Sequence, residues 1–157
     1  MTPSCAVLFV CLGNICRSPL AEAAFRQEAK KRGWDIKIDS AGLGGWHIGD
    51  PPDVRAIREA KKQNIDITHY RGRKVSTQDF TQFTHIVVMD NENLSRLRAL
   101  SPQNSTAHIA LLMDYVPNKA GQEIADPYYG NEKDFDRTWE QVHEGAIALA
   151  DHLEKQS

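Results

Sequence analysis

The chain is short of the features that would mark several large classes of protein. It has three cysteines in 157 residues, an odd count and too few for a disulfide framework, which fits a reducing compartment. The longest apolar runs are of strand length and fall well below a membrane span. Residues Met1 to Cys5 carry neither a basic stretch nor a long apolar one, so no secretory signal is expected and the sequence reads as cytoplasmic. No sign of charge dominates: 19 Lys and Arg stand against 21 Asp and Glu, a formal net charge of −2. That balance gives no global basic field for nucleic acid or an acidic membrane. The six histidines are scattered without His-x-x-x-His spacing, and Cys-x-x-Cys is absent, so a metal site is not expected. Internal repeats, low-complexity tracts and linkers are also missing. Hydrophobic content of 41% and charged content of 25% are ordinary for a globular chain, and the length predicts one domain over residues 1–157.

What is present concentrates in Val7-Leu8-Phe9-Val10-Cys11-Leu12-Gly13-Asn14-Ile15-Cys16-Arg17-Ser18-Pro19. An apolar, β-branched and aromatic run predicts a buried strand. Ser18-Pro19 has the form of an N-cap followed by the residue favoured at a first helical position. A tight loop between strand and helix turns backbone N–H groups inward, and the helix start adds partial positive charge, which together cradle a tetrahedral anion. Arg17 has the planar fork to grip two of that anion's oxygens. Cys11 lies at the mouth of the same field, which favours its thiolate, the nucleophilic form. A cysteine aimed at the centre of an anion cradle suggests phosphoryl transfer through a phosphocysteine. The Gly-Lys-Ser/Thr ending of a nucleotide-binding loop is absent.

Cys11 to Ser18 follow the pattern Cys-x5-Arg-Ser, and Cys-Leu-Gly-Asn-Ile-Cys-Arg-Ser-Pro closely resembles the low-molecular-weight protein tyrosine phosphatases. The resemblance covers essentially the whole chain. It implies a flavodoxin-like, three-layer α/β fold with a four-stranded parallel sheet, and hydrolysis of phosphotyrosine proteins and small aryl phosphates without a cofactor. It implies that Leu12, Gly13, Asn14, Ile15, Cys16 and Arg17 bind phosphate, and that Asp126 in Asp126-Pro127-Tyr128-Tyr129 is the general acid. Ser18 is either a plain helix cap or, as the resemblance implies and as is favoured here, a hydroxyl that stabilises the Cys11 thiolate. Asn14 either supplies a left-handed backbone or joins Ser40 in a polar network that holds the loop. The family's histidine in that network aligns with Tyr70, with His69 one residue earlier, so either could serve. Trp46, Tyr128 and Tyr129, with Leu12, resemble the walls around the phosphotyrosine ring. The resemblance also raises phosphorylation of Tyr128 or Tyr129. Cys16, near Cys11, is either a compact buried side chain or the partner for a peroxide-driven disulfide.

Along the rest of the chain, the pattern predicts a helix over Leu20 to Arg32 stopped by Gly33 and a strand over Asp35 to Asp39. A glycine-rich loop, Ser40 to Gly45, follows with Trp46. A helix opened by Pro51-Pro52-Asp53 runs to Gln63, and Ile65 to Arg73 forms a connector. Further strands are expected at Ile86 to Met89 and His108 to Met113. A helix is expected over Asn91 to Leu100, with Leu94, Leu97 and Leu100 on one face. Phe135, Trp139, Val142, Ala146, Leu149 and Leu153 predict a long amphipathic last helix. Trp34 and Trp139 read as structural. The basic middle (Arg55, Arg58, Lys61, Lys62, Arg71, Arg73, Lys74) and the acidic last helix read as solvated faces. Strands alternating with helices place Cys11, Ser40 and Asp90 at the carboxyl edge of a parallel sheet, where sites of such folds lie. Within the same fold, arginine phosphatases carry Thr where this chain has Ile15, and arsenate reductases need further cysteines downstream of Cys16. A catalytically silent phosphoprotein-binding module would lack one of the residue types, and none is lacking.

Overall fold

The computed structural model describes residues 2–156. Four parallel strands, β1 (Ala6–Cys11), β2 (Lys37–Gly42), β3 (His85–Val88) and β4 (His108–Leu111), form one sheet in the order β2-β1-β3-β4. Residues alternate across β1: Val7, Phe9 and Cys11 enter one core and Leu8 and Val10 the other, so both faces are covered and the strand reads as continuously apolar. The first face carries α1 (Arg17–Lys31), α5 (Glu132–Gln156) and, against them, α2 (Val54–Lys62). The second carries α4 (Asn91–Leu100) and the short α3 (Asp79–Gln82), whose Phe80 joins Phe83 and Leu97 under the sheet. This is the expected three-layer parallel α/β fold.

Several boundaries move, each for a physical reason. The first helix begins at Arg17 rather than Leu20, with Cys16 as its N-cap and no side-chain cap bond. Ser18 therefore sits inside the first turn and is not the cap; its hydroxyl faces the loop instead. Strand β2 extends to Gly42, taking in Ser40 and Ala41, because pairing with Phe9 to Cys11 continues there. Strand β4 stops at Leu111, and a 3-10 turn over Leu112–Tyr115 follows. The connector that follows α2 gains order at its end, where Lys74 bridges Gly42 beside the sheet. Leu100 is 45% exposed at the C-terminal end of α4, while Leu97 is buried. Asp53 caps α2, its carboxylate accepting from the Arg55 amide, and Gly33 takes φ +73° after α1, both as the pattern predicts. The two charged regions are partly partners: Lys62 of α2 reaches Glu132 at 2.7 Å and Asp136 at 3.1 Å on α5. No helix of the described residues is long and apolar enough to cross a membrane.

Candidate active site

The loop between β1 and α1 is wrapped from outside. Three carbonyls at its edge accept from amides outside it, Cys11 from Leu43, Leu12 from Gly44 and Ile15 from Asp53, and the Cys16 carbonyl accepts from Leu20 in the first turn of α1. With these carbonyls engaged outward, the peptides of Leu12–Gly13 and Ile15–Cys16 have the orientation found in anion-binding nests. The fit is close. A Cβ on Gly42 would lie 3.1 Å from the carbonyl carbon of Gly13 and 3.1 Å from the Leu12 oxygen, so glycine at the end of β2 lets the loop lie against the sheet. Asn14 turns the loop with φ +59°, a conformation that Asn tolerates better than most residues.

Asn14 is 4% exposed and fully engaged. Its Oδ1 accepts from the Arg73 amide at 3.1 Å, which turns its NH2 toward Ser18 Oγ at 2.8 Å and Ser40 Oγ at 3.0 Å. The Ser40 hydroxyl donates to Glu22 at 2.7 Å, and the other Glu22 oxygen accepts from Arg26 Nε at 2.7 Å. The chain ends at the sulfur, where the Cys11 thiol meets Ser18 Oγ at 3.1 Å. Burial raises the pKa of Glu22 against the opposing pull of Ser40 and Arg26. Arg73 is itself fixed by Asp39 and by a two-pronged contact to the buried Asp79. Neither His69 nor Tyr70 bonds to Asn14. Tyr70 interacts with Arg26, and burial pushes its phenol up; His69 packs edge-on against the Tyr70 ring. The position facing Ser40 is held by Glu22, on α1 one turn after Ser18.

Arg17 is 2% exposed. Its Nη1 donates to Asp90 at 2.6 Å and to the Ile124 carbonyl at 2.9 Å, and its Nη2 lies 3.6 Å from Asp126. Its Nε has no hydrogen-bond partner among the described residues, leaving a buried donor for a ligand. Burial opposes its charge, but Cys11, Asp90 and Asp126 outweigh that, and the net shift is upward, so Arg17 is cationic at any working pH. Asp90 also caps α4 through the Asn93 amide at 2.7 Å, which ties the guanidinium to the end of β3.

Above the loop opens a cavity of about 350 Å³ lined by Cys11, Leu12, Gly13, Ile15, Cys16, Trp46, His47, Asp126, Tyr128 and Tyr129. Asp126 enters from the side, its Oδ1 accepting from the Tyr128 amide at 3.1 Å. Tyr128 and Tyr129 meet edge to face at 4.9 Å between centroids. Tyr129 is 96% exposed and Trp46 66%, so these rings form a rim rather than a closed slot. Cys16 is buried at the floor, and burial, with Asp53 and Cys11, drives its thiol well above the ordinary range. Cys11 and Asp126 thus share one aromatic-rimmed cleft, with Arg17 buried beside Asp126.

Sequence reasoning left Glu22, His47, Arg73, Asp79 and the Asp90–Arg17 bond without roles. Glu22 had a local signal, since it stands four residues after Ser18 and four before Arg26 on one helix face. His47 with Asp50 and Asp79 with Ser76 and Arg73 are also near in sequence, whereas the bonds of Arg73 to Asn14 and of Asp90 to Arg17 join residues far apart in the chain.

A family model described as "Low molecular weight phosphotyrosine protein phosphatase" matches residues 6–157. The chain is 43% identical over 154 residues to "Low molecular weight protein-tyrosine-phosphatase YfkJ" of Bacillus subtilis, covering 96% of this chain and 97% of that protein. The crystal structure of YfkJ superposes with a TM-score of 0.89 over 98% of this chain and 96% of that one. The human "Low molecular weight phosphotyrosine protein phosphatase" is 44% identical over 142 residues, 87% of each chain. A Drosophila arginine phosphatase shares the fold at a TM-score of 0.87 and 37% identity, over 94% of this chain and 96% of that one. With a match that runs from the first strand to the end of the last helix, this chain belongs to the low molecular weight phosphotyrosine protein phosphatase family.

Proposed function

We propose that this chain hydrolyses protein phosphotyrosine through a cysteinyl-phosphate intermediate. The observation that carries the reading is that Cys11 and Asp126 line one cavity rimmed by Trp46, Tyr128 and Tyr129, with the buried Arg17 guanidinium 3.6 Å from Asp126. The phosphoryl oxygens take the inward amides of residues 12–17 and the Arg17 guanidinium, whose free Nε supplies a donor. The Cys11 thiolate attacks phosphorus, and the P–O bond to the tyrosyl oxygen breaks as that oxygen takes the Asp126 proton. Water then attacks the phosphocysteine and gives its proton to the Asp126 carboxylate. The S–P bond breaks, phosphate leaves and the thiolate is restored. Across the 3.1 Å contact the Ser18 hydroxyl donates to that thiolate, because its oxygen already accepts from Asn14. Fixed donors aimed at charge that develops in the transition state supply most of the acceleration in such sites. Asp126, 41% exposed at its side chain, exchanges its proton with solvent between turnovers.

The structural likeness to an arginine phosphatase motivates a second substrate, phosphoarginine. The apolar Ile15 on the cleft floor and the three rim aromatics favour the aryl ester.

Hydrolysis of p-nitrophenyl phosphate, a phosphotyrosine peptide and a phosphoarginine peptide by freshly reduced wild type, Cys11→Ser and Asp126→Ala tests the reading. The expected result is turnover of the two aryl esters in EDTA, abolished in Cys11→Ser. Asp126→Ala should lose about 10²–10⁴-fold on the peptide, the usual size of a general acid's contribution. Preference for phosphoarginine, or turnover surviving in Cys11→Ser, would refute it.

A further inference from the structure

The acid carboxylate sits on a segment with no regular structure, between the turn at Leu112–Tyr115 and α5, yet it must meet the leaving oxygen within hydrogen-bond reach. On its N-terminal side the segment is pinned by Ile124, whose amide donates to the Met89 carbonyl at 2.9 Å and whose carbonyl takes Arg17. On its C-terminal side Asn131 ties the segment to the start of α5, and the residues directly after Asp126 are held by the side chain of Arg55. Its Nη2 donates to the Tyr128 carbonyl at 2.8 Å and its Nη1 to the Gly130 carbonyl at 3.2 Å. The same guanidinium lies 5.6 Å from the Tyr128 ring centroid and 4.7 Å from that of Phe135.

The other side of Arg55 leads back to the phosphate loop. Nε and Nη2 are each 3.0 Å from an Asp53 oxygen, and the Asp53 amide donates to the Ile15 carbonyl at 2.9 Å. Burial works against the Asp53 charge, but the Arg55 hydrogen bonds prevail and the carboxyl is held below its usual range. Loop, Asp53, Arg55 and the Tyr128–Gly130 turn therefore form one continuous set of bonds from beneath the cleft floor to the residues after Asp126. A planar five-donor fork can satisfy a carboxylate on one edge and two carbonyls on the other, which a single ammonium cannot.

We infer that Arg55 is a positioning residue: it spans from the phosphate loop to the acid loop and sets the distance between Asp126 and the phosphorus at Cys11. The inference rests on the acid role proposed above for Asp126. It makes no contact with the reacting atoms in the pathway proposed, so its loss should weaken proton delivery and leave attack by sulfur intact.

The test is kcat/KM of Arg55→Ala, Arg55→Lys, Asp126→Asn and wild type on aryl phosphates that differ only in leaving group, from 2,4-dinitrophenyl phosphate to phenyl phosphate. A dinitrophenolate departs without help; phenolate needs the proton. Arg55→Ala should lose about tenfold or more on phenyl phosphate, part of the 10²–10⁴ a general acid supplies, and less than about twofold on the dinitrophenyl ester. Arg55→Lys should not restore the phenyl rate. Equal loss on both esters, or loss on neither, while Asp126→Asn shows the leaving-group dependence, overturns the inference alone. Absence of that dependence in Asp126→Asn overturns the acid reading and this inference with it. Faster amide exchange at Tyr128 and Gly130 in Arg55→Ala is the expected companion; unchanged exchange also overturns it.

Discussion

Replacing Glu59 with glutamine should stabilise the protein several times more at pH 8 than at pH 5. Glu59 is 3% exposed on α2 and shares a hydrogen bond with the Asp136 carboxylate of α5, with Lys62 Nζ 3.6 Å away. Burial first, then Asp136, raise its pKa from 4.5 to about 7. The unfolded chain ionises the same carboxyl near 4.5, so between those values the folded state binds more protons and stability falls as pH rises. Below 4.5 both states are protonated and nothing is lost; above 7 the full penalty stands. A shift of this size corresponds to at most about 3 kcal/mol. The downward shift of Asp136 belongs to the same shared proton and is not counted again; with Lys62 compensating part of the charge, about 2 kcal/mol is expected. Glutamine keeps a donor toward Asp136 and has no charge to bury. In a chain of this length 2 kcal/mol is a Tm rise of about 4–8 °C. Thermal unfolding of wild type and Glu59→Gln followed by circular dichroism from pH 5 to pH 8.5 measures it. A Tm difference that stays constant across that range would refute the linkage.

Three further outcomes follow from the site. Asn14→Ala should cost about 3 kcal/mol of stability through three lost hydrogen bonds and an alanine at positive φ; Asn14→Gly should recover part of the Tm by relieving the backbone, yet recover no turnover, as chemical melts and kcat on p-nitrophenyl phosphate would show. Gly42→Ala should push the loop off the sheet, lowering stability by about 1–3 kcal/mol and kcat with it; an unperturbed kcat would mean the loop yields freely. Asp90→Asn keeps the α4 cap but removes the negative charge facing Arg17, so kcat/KM should fall at least about tenfold while the helix content by circular dichroism is retained.

How much was legible depended on how local the cause was. The apolar run Val7 to Val10 and the heptad-like last helix declare their burial by period alone, and Asp53 and Gly33 mark helix ends through rules that act within a few residues. By those local rules alone Ser18 has the form of a cap, since a hydroxyl before proline marks an N-terminus; the bond from Asn14 and the facing sulfur, set by the loop's closure, favour the thiolate role instead. Ser40 reads as part of a glycine-rich loop, but pairing with β1 draws it into β2, which local composition cannot register.

The sequence by itself determined the layered parallel fold and the type of loop at its edge. Alternation, capping chemistry and the Cys-x5-Arg-Ser spacing are properties of neighbouring residues, so the chain expresses them before it folds. Only the tertiary structure decided which groups hold that loop in shape. Glu22 rather than His69 or Tyr70 faces Ser40, Asp90 takes Arg17 across 73 residues, and Arg55 meets the acid loop across about as many. Such partners are joined by sheet order and helix packing, and a hydrogen bond between distant residues leaves no period in the sequence from which it could be read.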